Sequence, residues 1–295
     1  MIIASNTVSP NFKIENRKDG LKISGKKFSF KKMAMYFILI LFAVIYAGPL
    51  LMLVNTSLKT MPEFMKDAVS ITKAFRFENF SEAWSKANFP QYMTNTILYT
   101  FSATFIYIIT AIFVAVPIAR RYVRGAGVIL TLFVVALFLP AALVPQFQLI
   151  LNLGLYNNPV GYTMLFLTNP IGIVILVNYI KSVPKELDEV AALDGCGYFR
   201  FVVSIVTPLI RPAIATVVIL HAIGIWNELI LPTIYLTNQD YYPITRGMIV
   251  FQGVYGSNWP TLAAAVLIMT LPMIVLFLFL QKYIITGLTQ GAVKG

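Results

Sequence analysis

Residues 184–208 read PKELDEVAALDGCGYFRFVVSIVTP, a polar stretch set between two long apolar runs. Leu187, Val190 and Ala191 fall at i, i+3 and i+4, which predicts a short helix with one narrow apolar face. Pro184 suits its first turn, where no backbone N–H is needed. Glu186, Asp188 and Glu189 crowd the same turn, where the helix dipole favours negative charge. Asp194-Gly195 ends the helix, because glycine tolerates the left-handed turn that closes many helices. Asp194 reads as the cap of a second short helix over 198–204, stopped by Pro208.

The surroundings of that stretch set the class of protein. Charged residues make up 12% of the 295-residue chain and apolar residues 58%, with a mean hydropathy of +0.77. A water-soluble domain carries roughly 25% charge, so this is an integral membrane protein. The net charge of +11 would suggest nucleic acid in a soluble chain, but here its placement has to be read against the bilayer. A single Cys196 excludes an internal disulfide or cysteine metal cluster, and a single His221 excludes histidine-pair zinc motifs. The basic segment 1–32 reads as a tail held near anionic lipid. It is too long, and the apolar run after it too extended, for a cleavable signal peptide. Within it, Gly20 to Lys27 approaches a phosphate-binding loop. Lys27 stands where a hydroxyl is needed and no strand precedes it, so that reading fails.

Six runs reach the ~20 apolar residues a span needs, near 33–54, 95–119, 127–151, 160–180, 209–235 and 262–284. Of the 23 Lys and Arg, 17 fall in segments 1–32, 120–126, 181–211 and 282–295, against 6 in 55–94 and 236–261. The excess belongs in the cytoplasm. Both termini and the 184–208 loop are therefore expected there, and nucleic-acid binding drops out. The expected fold is an all-α polytopic membrane protein of six transmembrane helices, with a two-helix cytoplasmic loop between the fourth and fifth. Its parts are a basic tail (1–32), a transmembrane domain (33–285) and a C-terminal tail (286–295). Pro140 and Pro145 predict a kink or unwinding in the third span. External loop 55–94, with alternating charge and Trp84, fits short surface helices or a solvated loop. External loop 236–261 carries Tyr241, Tyr242, Tyr255 and Trp259, which fit an interfacial aromatic belt. The two halves of the chain show no repeat, which argues against inverted-repeat secondary transporters.

Few residues could carry chemistry, and no catalytic, metal or cofactor site is expected. Arg120, Arg121 and Arg124 end the second span and read as its cytoplasmic anchor. His221 lies 13 residues past Pro208, about 20 Å along a helix, and has no acidic partner within a turn. A neutral, hydrogen-bonded state facing the bundle or a pathway is expected of it. Asn227 and Glu228 follow Trp226 about 30 Å from Pro208. They read as polar groups at the outer mouth of a path, or as structural groups bonded to neighbouring helices.

Glu189, Ala191, Asp194, Gly195, Ile205 and Pro208 together match the loop signature of permease subunits of binding-protein-dependent ABC importers, with Ala192 inside the same coupling segment. Val190 and Thr207 depart from it, standing where Ala and Leu are usual. Within that family the chain resembles the maltose-type carbohydrate permeases, through Trp226-Asn227-Glu228 and the terminal GLTQGAVKG (287–295). The resemblance implies that the 184–208 loop seats in a cytoplasmic ATPase dimer, with Glu189 pairing a basic residue there. It implies that Gly291, Lys294 and Gly295 touch the same ATPase. It implies further a second homologous permease, and an extracellular binding protein delivering a sugar or oligosaccharide, all at a bacterial cell membrane. No cofactor is implied. The rivals are a permease for a non-sugar solute, an ion-coupled secondary transporter, for which His221 is the only midplane candidate, and a membrane enzyme.

Overall fold

Among the described residues every regular element is helical, as the apolar runs demand, since only internally bonded backbone is stable in lipid. The structure, a computed structural model, describes backbone for residues 30–292 except 74, 87, 256 and 257, and side chains within 32–249 and 258–282. Of the expected parts, residues 1–29 of the basic tail and 293–295 of the C-terminal tail lie outside the described residues.

The helices run α1 (Phe30–Ser57), α2 (Met61–Lys66), α3 (Glu78–Ser85), α4 (Phe89–Arg120), α5 (Ala126–Ala136), α6 (Leu143–Asn152), α7 (Pro159–Met164) and α8 (Pro170–Ser182). After these come α9 (Glu186–Leu193), α10 (Tyr198–Arg200), α11 (Thr207–Leu209), α12 (Arg211–Trp226), α13 (Ile230–Tyr235), α14 (Ile244–Tyr255) and α15 (Trp259–Ala292). The chain divides into two units at Pro49. The described part of the first is the N-terminal portion of α1, and the second holds everything from Leu50 on.

Among the described residues three helices are long and apolar enough to cross a bilayer unbroken: Lys32–Ser57, Phe89–Arg120 and Trp259–Lys282. The other three expected spans are interrupted, each for a readable reason. The third is split into α5 and α6 around Pro140, which lacks an N–H to donate, while Pro145 sits harmlessly in the first turn of α6. The fourth is Pro159–Thr168 and Pro170–Ser182, bent by 46° where Asn169 precedes proline. The fifth differs most from expectation. Residues Tyr198–Leu209 and Arg211–Trp226 meet at 83°, and the hinge is the buried Ile210 rather than Pro208.

Helix α4 is the element on which the second unit is assembled. Ala103, Tyr107, Ala111, Ala115 and Ala119 recur every fourth residue and are all buried, so one stripe of mostly small residues admits close neighbours. A Cβ at Gly172 of α8 would meet the Tyr107 ring and Val217 Cγ1 of α12 at 2.7 Å, which shows how tightly α4, α8 and α12 converge. One core gathers Ala115, Leu176, Val202 and Ile210 around the Arg120 end of α4. A second gathers Phe89, Tyr99, Tyr162, Trp226 and Tyr242 around the other.

The 55–94 segment carries the short helices α2 and α3 and the start of α4, held by buried polar groups. Lys59 is fully buried, its ammonium donating to the carbonyls of Asp67 (2.7 Å) and Ala68 (3.0 Å). Asn79 Nδ2 ties α3 to the carbonyls of Ser57 and Lys59, both at 2.8 Å.

Candidate functional site

Helix α9 ends as its sequence dictates. Gly195 takes φ +71°, letting Cys196 N–H reach the Ala191 carbonyl (2.9 Å) and Gly195 N–H reach that of Ala192 (3.1 Å). These two bonds form a complete Schellman closure. Asp194 is the C-cap of this helix and not the cap of the next, which starts after Gly197 without a side-chain cap. The second helix also runs further than expected. It passes through a π-helical stretch, Phe201–Val206, and takes Pro208 in its stride, because α11 begins at Thr207 and Pro208 occupies its first turn. Thr207, at the position usually Leu, donates to the Val202 carbonyl at 2.8 Å.

The apolar face of α9 is not where its periodicity placed it. Ala191 alone is buried, while Leu187, Val190 and Leu193 are exposed, Leu193 by 88%. Phe199 and Val203 add to the exposed surface, at 73% and 57%. Glu189, Ala192 and Asp194 are exposed as well. Ile205 is half-buried against the core, and Pro208 is exposed. The loop thus offers water an apolar ridge edged by carboxylates, a surface that ordinarily has a partner.

What holds the loop was not foreseen. Arg120, expected only to anchor the end of the second span, has a side chain only 1% exposed. Its Nη1 donates to the Val183 carbonyl at 2.8 Å and its Nη2 to that of Pro184 at 3.3 Å, while Nε faces Asp188 Oδ2 at 3.0 Å. Tyr122 O–H donates to the same Asp188 oxygen at 2.6 Å. Burial, then that bond to a carboxylate, pushes the Tyr122 phenol up to about 12. The chain turns back for this contact through Arg121, which holds φ +60°, a conformation that costs a non-glycine residue about 1 kcal/mol. In sequence, the only signal was Tyr122 following two arginines opposite an acidic helix.

His221 and the pair Asn227 and Glu228 lie away from the loop and from each other's partners. His221 is 3% exposed. Its Nε2 meets the Phe166 carbonyl at 2.9 Å and its Nδ1 the Thr104 hydroxyl at 3.2 Å. Only a donor can face a carbonyl, so the proton sits on Nε2 and Thr104 donates to Nδ1. Tyr107 donates to the Asn169 carbonyl at 2.5 Å. His221 thus satisfies the carbonyl freed where the fourth span breaks, since Pro170, four residues past Phe166, has no N–H, and Tyr107 adds a bond at the Asn169 cap of α8. Asn227 ends α12, its Nδ2 donating to the Ile223 carbonyl at 3.0 Å. Glu228 Oε1 accepts from the N–H of Ile230 (2.8 Å) and Leu231 (3.0 Å), capping α13. The carboxylate is thus bonded to its own chain's next helix rather than to a neighbouring span. Tyr242 is buried in the second core, with Asn95 Nδ2 donating to its carbonyl at 3.0 Å, which takes it out of the expected aromatic belt. The side chain of Tyr255 is outside the described residues, as are Lys294, Gly295 and everything but the backbone of Gly291.

An apolar groove of ≈520 Å³ lies between α4, α12 and α15, lined by residues such as Phe101, Phe105, Val218 and Met273. Its walls carry few groups that could bond a sugar hydroxyl. Among the described residues no cluster of three or more His, Cys, Asp or Glu is placed to hold a metal.

Comparison with known proteins follows the loop. Residues 83–290 match the model of the family described as binding-protein-dependent transport system inner membrane component. The chain is 33% identical to the melibiose/raffinose/stachyose import permease protein of Bacillus subtilis (strain 168), over 84% of this chain and 91% of that one. It is 29% identical to the diacetylchitobiose uptake system permease protein of Streptomyces coelicolor (strain ATCC BAA-471 / A3(2) / M145), over 87% of each. Its fold matches a chain of a bacterial ABC transporter involved in the import of the acidic polysaccharide alginate, with TM-score 0.76 and 23% identity, covering 85% of this chain and 95% of that one. The exposed acidic loop, the α4-centred helical body and these matches agree: the chain belongs to the inner membrane component family of binding-protein-dependent transport systems, as its loop signature indicated.

Proposed function

We propose that this permease subunit forms half of the path for a sugar or oligosaccharide in an ATP-driven importer. The observation that carries the coupling half of this reading is the exposed ridge of Leu187, Val190, Leu193 and Phe199 on the 184–208 loop. Such a ridge in water is offset by a groove on another protein. The ATPase dimer is the partner, with Glu189 meeting a basic residue of it and the 291–295 tail adding contacts. A second permease completes the path, and an extracellular binding protein supplies the sugar. Six spans, with the loop and both termini in the cytoplasm, follow from the placement of the Lys and Arg. His221, Asn227 and Glu228 support the path by holding its broken helices. The sugar class is favoured by the named cargoes of the curated relatives.

The test is reconstitution of the chain with its second permease, ATPase and binding protein in proteoliposomes. ATP-dependent oligosaccharide uptake is the expected result. Uptake driven by an ion gradient with no ATPase present would overturn it. Glu189→Ala and Gly195→Pro are expected to uncouple uptake from hydrolysis without loss of membrane insertion; wild-type sugar-stimulated ATPase activity in either would contradict the loop's role.

A further inference from the structure

Beyond its short covalent link back to α8 through residues 183–185, the 184–208 loop has two physical connections to the membrane body, and they differ in stiffness. One is covalent. It runs from α9 through α10, the π-helical Phe201–Val206 and an 83° bend at Ile210 into α12. The other is non-covalent and runs into α4. Arg120 spans the C-terminal end of α8 and the first turn of α9 with one guanidinium, and Tyr122 doubles the contact at Asp188. The second helix of the loop leans on the same helix. Phe199 lies 5.4 Å from Phe113 between ring centroids, and Phe201, Val202 and Val206 are buried in the α4-centred core. A planar fork bonded to fixed carbonyls is pre-organised and charge-assisted. A π-helical segment followed by a sharp bend is the more compliant link.

Building on the transporter reading above, we infer that Arg120 is the positioning residue through which displacement of α9 is passed to α4, and that α4 moves with the loop ahead of α12. The guanidinium has no role toward the ATPase itself, because its side chain is buried against Val183, Pro184 and Asp188. Lysine keeps the charge but not the fork, so Arg120→Lys isolates geometry from electrostatics.

The experiment uses the full reconstituted complex and the purified permease side by side. In the complex, oligosaccharide uptake per ATP hydrolysed is measured for wild type, Arg120→Lys and Tyr122→Phe. Arg120→Lys is expected to lower that ratio about tenfold, within the usual range of coupling energies, with the ATPase still bound. Tyr122→Phe, which loses one bond, is expected to lower it a few-fold. A purely structural role would lower uptake and hydrolysis together and leave the ratio unchanged, which overturns the inference while the transporter reading stands. In the permease alone, amide exchange over 186–193 is expected to rise in Arg120→Lys. Unchanged exchange there overturns the inference whether or not the complex transports. Failure of the wild-type complex to bind an ATPase overturns the transporter reading separately.

Discussion

The rings of His221 and Tyr107 lie face to face, 4.2 Å between centroids and 5° from parallel, across helices α12 and α4. Each then reaches past the other to a carbonyl at the break in the fourth span, His221 to Phe166 and Tyr107 to Asn169. The stack locks both donors in place beside a bend that would otherwise leave the Phe166 carbonyl unpaired. It gives the single histidine of the chain a use that needs no titration.

Replacing His221 should therefore cost stability. His221→Leu removes a donor from a buried carbonyl and is expected to destabilise by about 1–3 kcal/mol, read as a lower melting temperature in detergent. His221→Gln, which can still donate an N–H, should recover part of the loss. A transport pH profile abolished by His221→Gln, with melting unchanged, would restore the proton-relay reading.

Gly172 tests the packing of α8 against α4 and α12. A methyl group there collides with Tyr107 and Val217, and overpacking of this kind costs about 1–3 kcal/mol. Gly172→Ala should lower the melting temperature, whereas Gly197→Ala, which has open space around the same position, should not. Equal effects would mean that the convergence of the three helices is looser than its geometry.

Glu82 makes the segment after α1 sensitive to acid. It accepts from Arg76 at 2.6 Å and Lys86 at 3.1 Å. Burial works to raise its pKa, but Lys86 and Arg76 outweigh it and hold the carboxyl below its ordinary value. Glu63, bonded by the Lys73 N–H, and Asp67, bonded by those of Val69 and Ser70, are shifted the same way. Folding thus favours the ionised forms. Their contribution is present above the unfolded values of about 3.9 for Asp and 4.3 for Glu and is lost as pH falls through the lower folded values. Amide protection over 58–86 should hold from neutral pH down to about pH 5 and decline below about pH 4, less steeply in Glu82→Gln. Protection that instead declines with rising pH would refute this sign.

Glu228 can be divided into a capping group and a charge. Gln keeps an oxygen for the N–H groups of Ile230 and Leu231, and Ala does not. Glu228→Ala is expected to destabilise by about 1 kcal/mol, the usual worth of a cap, with Glu228→Gln close to wild type in melting. Transport by Glu228→Gln should fall for several sugars alike. A changed preference between sugars would place the carboxylate against the cargo instead.

Much of the loop could be read from residues alone. The Gly195 closure there, and the unwinding around Pro140 in the third span, follow from backbone chemistry that acts within a few positions. The misreadings share a different cause. Leu187 and Val190 have helical spacing, but periodicity defines a face without saying whether its cover is the same chain or another. Arg120 sits in a basic cluster that topology alone explains, and its acceptors at Val183 and Pro184 are brought to it only by the packing of α8 on α4. His221 likewise bonds a carbonyl 55 residues away that exists as a free acceptor only because another helix is broken. The hinge at Ile210 in place of Pro208 follows from Pro208 fitting the first turn of α11, where a proline does no harm.

Helix α4 has 32 residues without interruption, which makes it about 48 Å long. At one tip Arg120 grips the acidic loop. Near the other, Asn95 and Tyr99 donate to the carbonyls of Asp240, Tyr242 and Tyr241, and Thr96 accepts from Ile244 N–H. Pro117, less than a turn short of that basic tip, is the one proline in its interior and the one place there where the strut lacks a backbone donor. A tilt that passes Pro117 meets no further proline before Asn95, so the acidic loop and the 240–244 turn share a single lever.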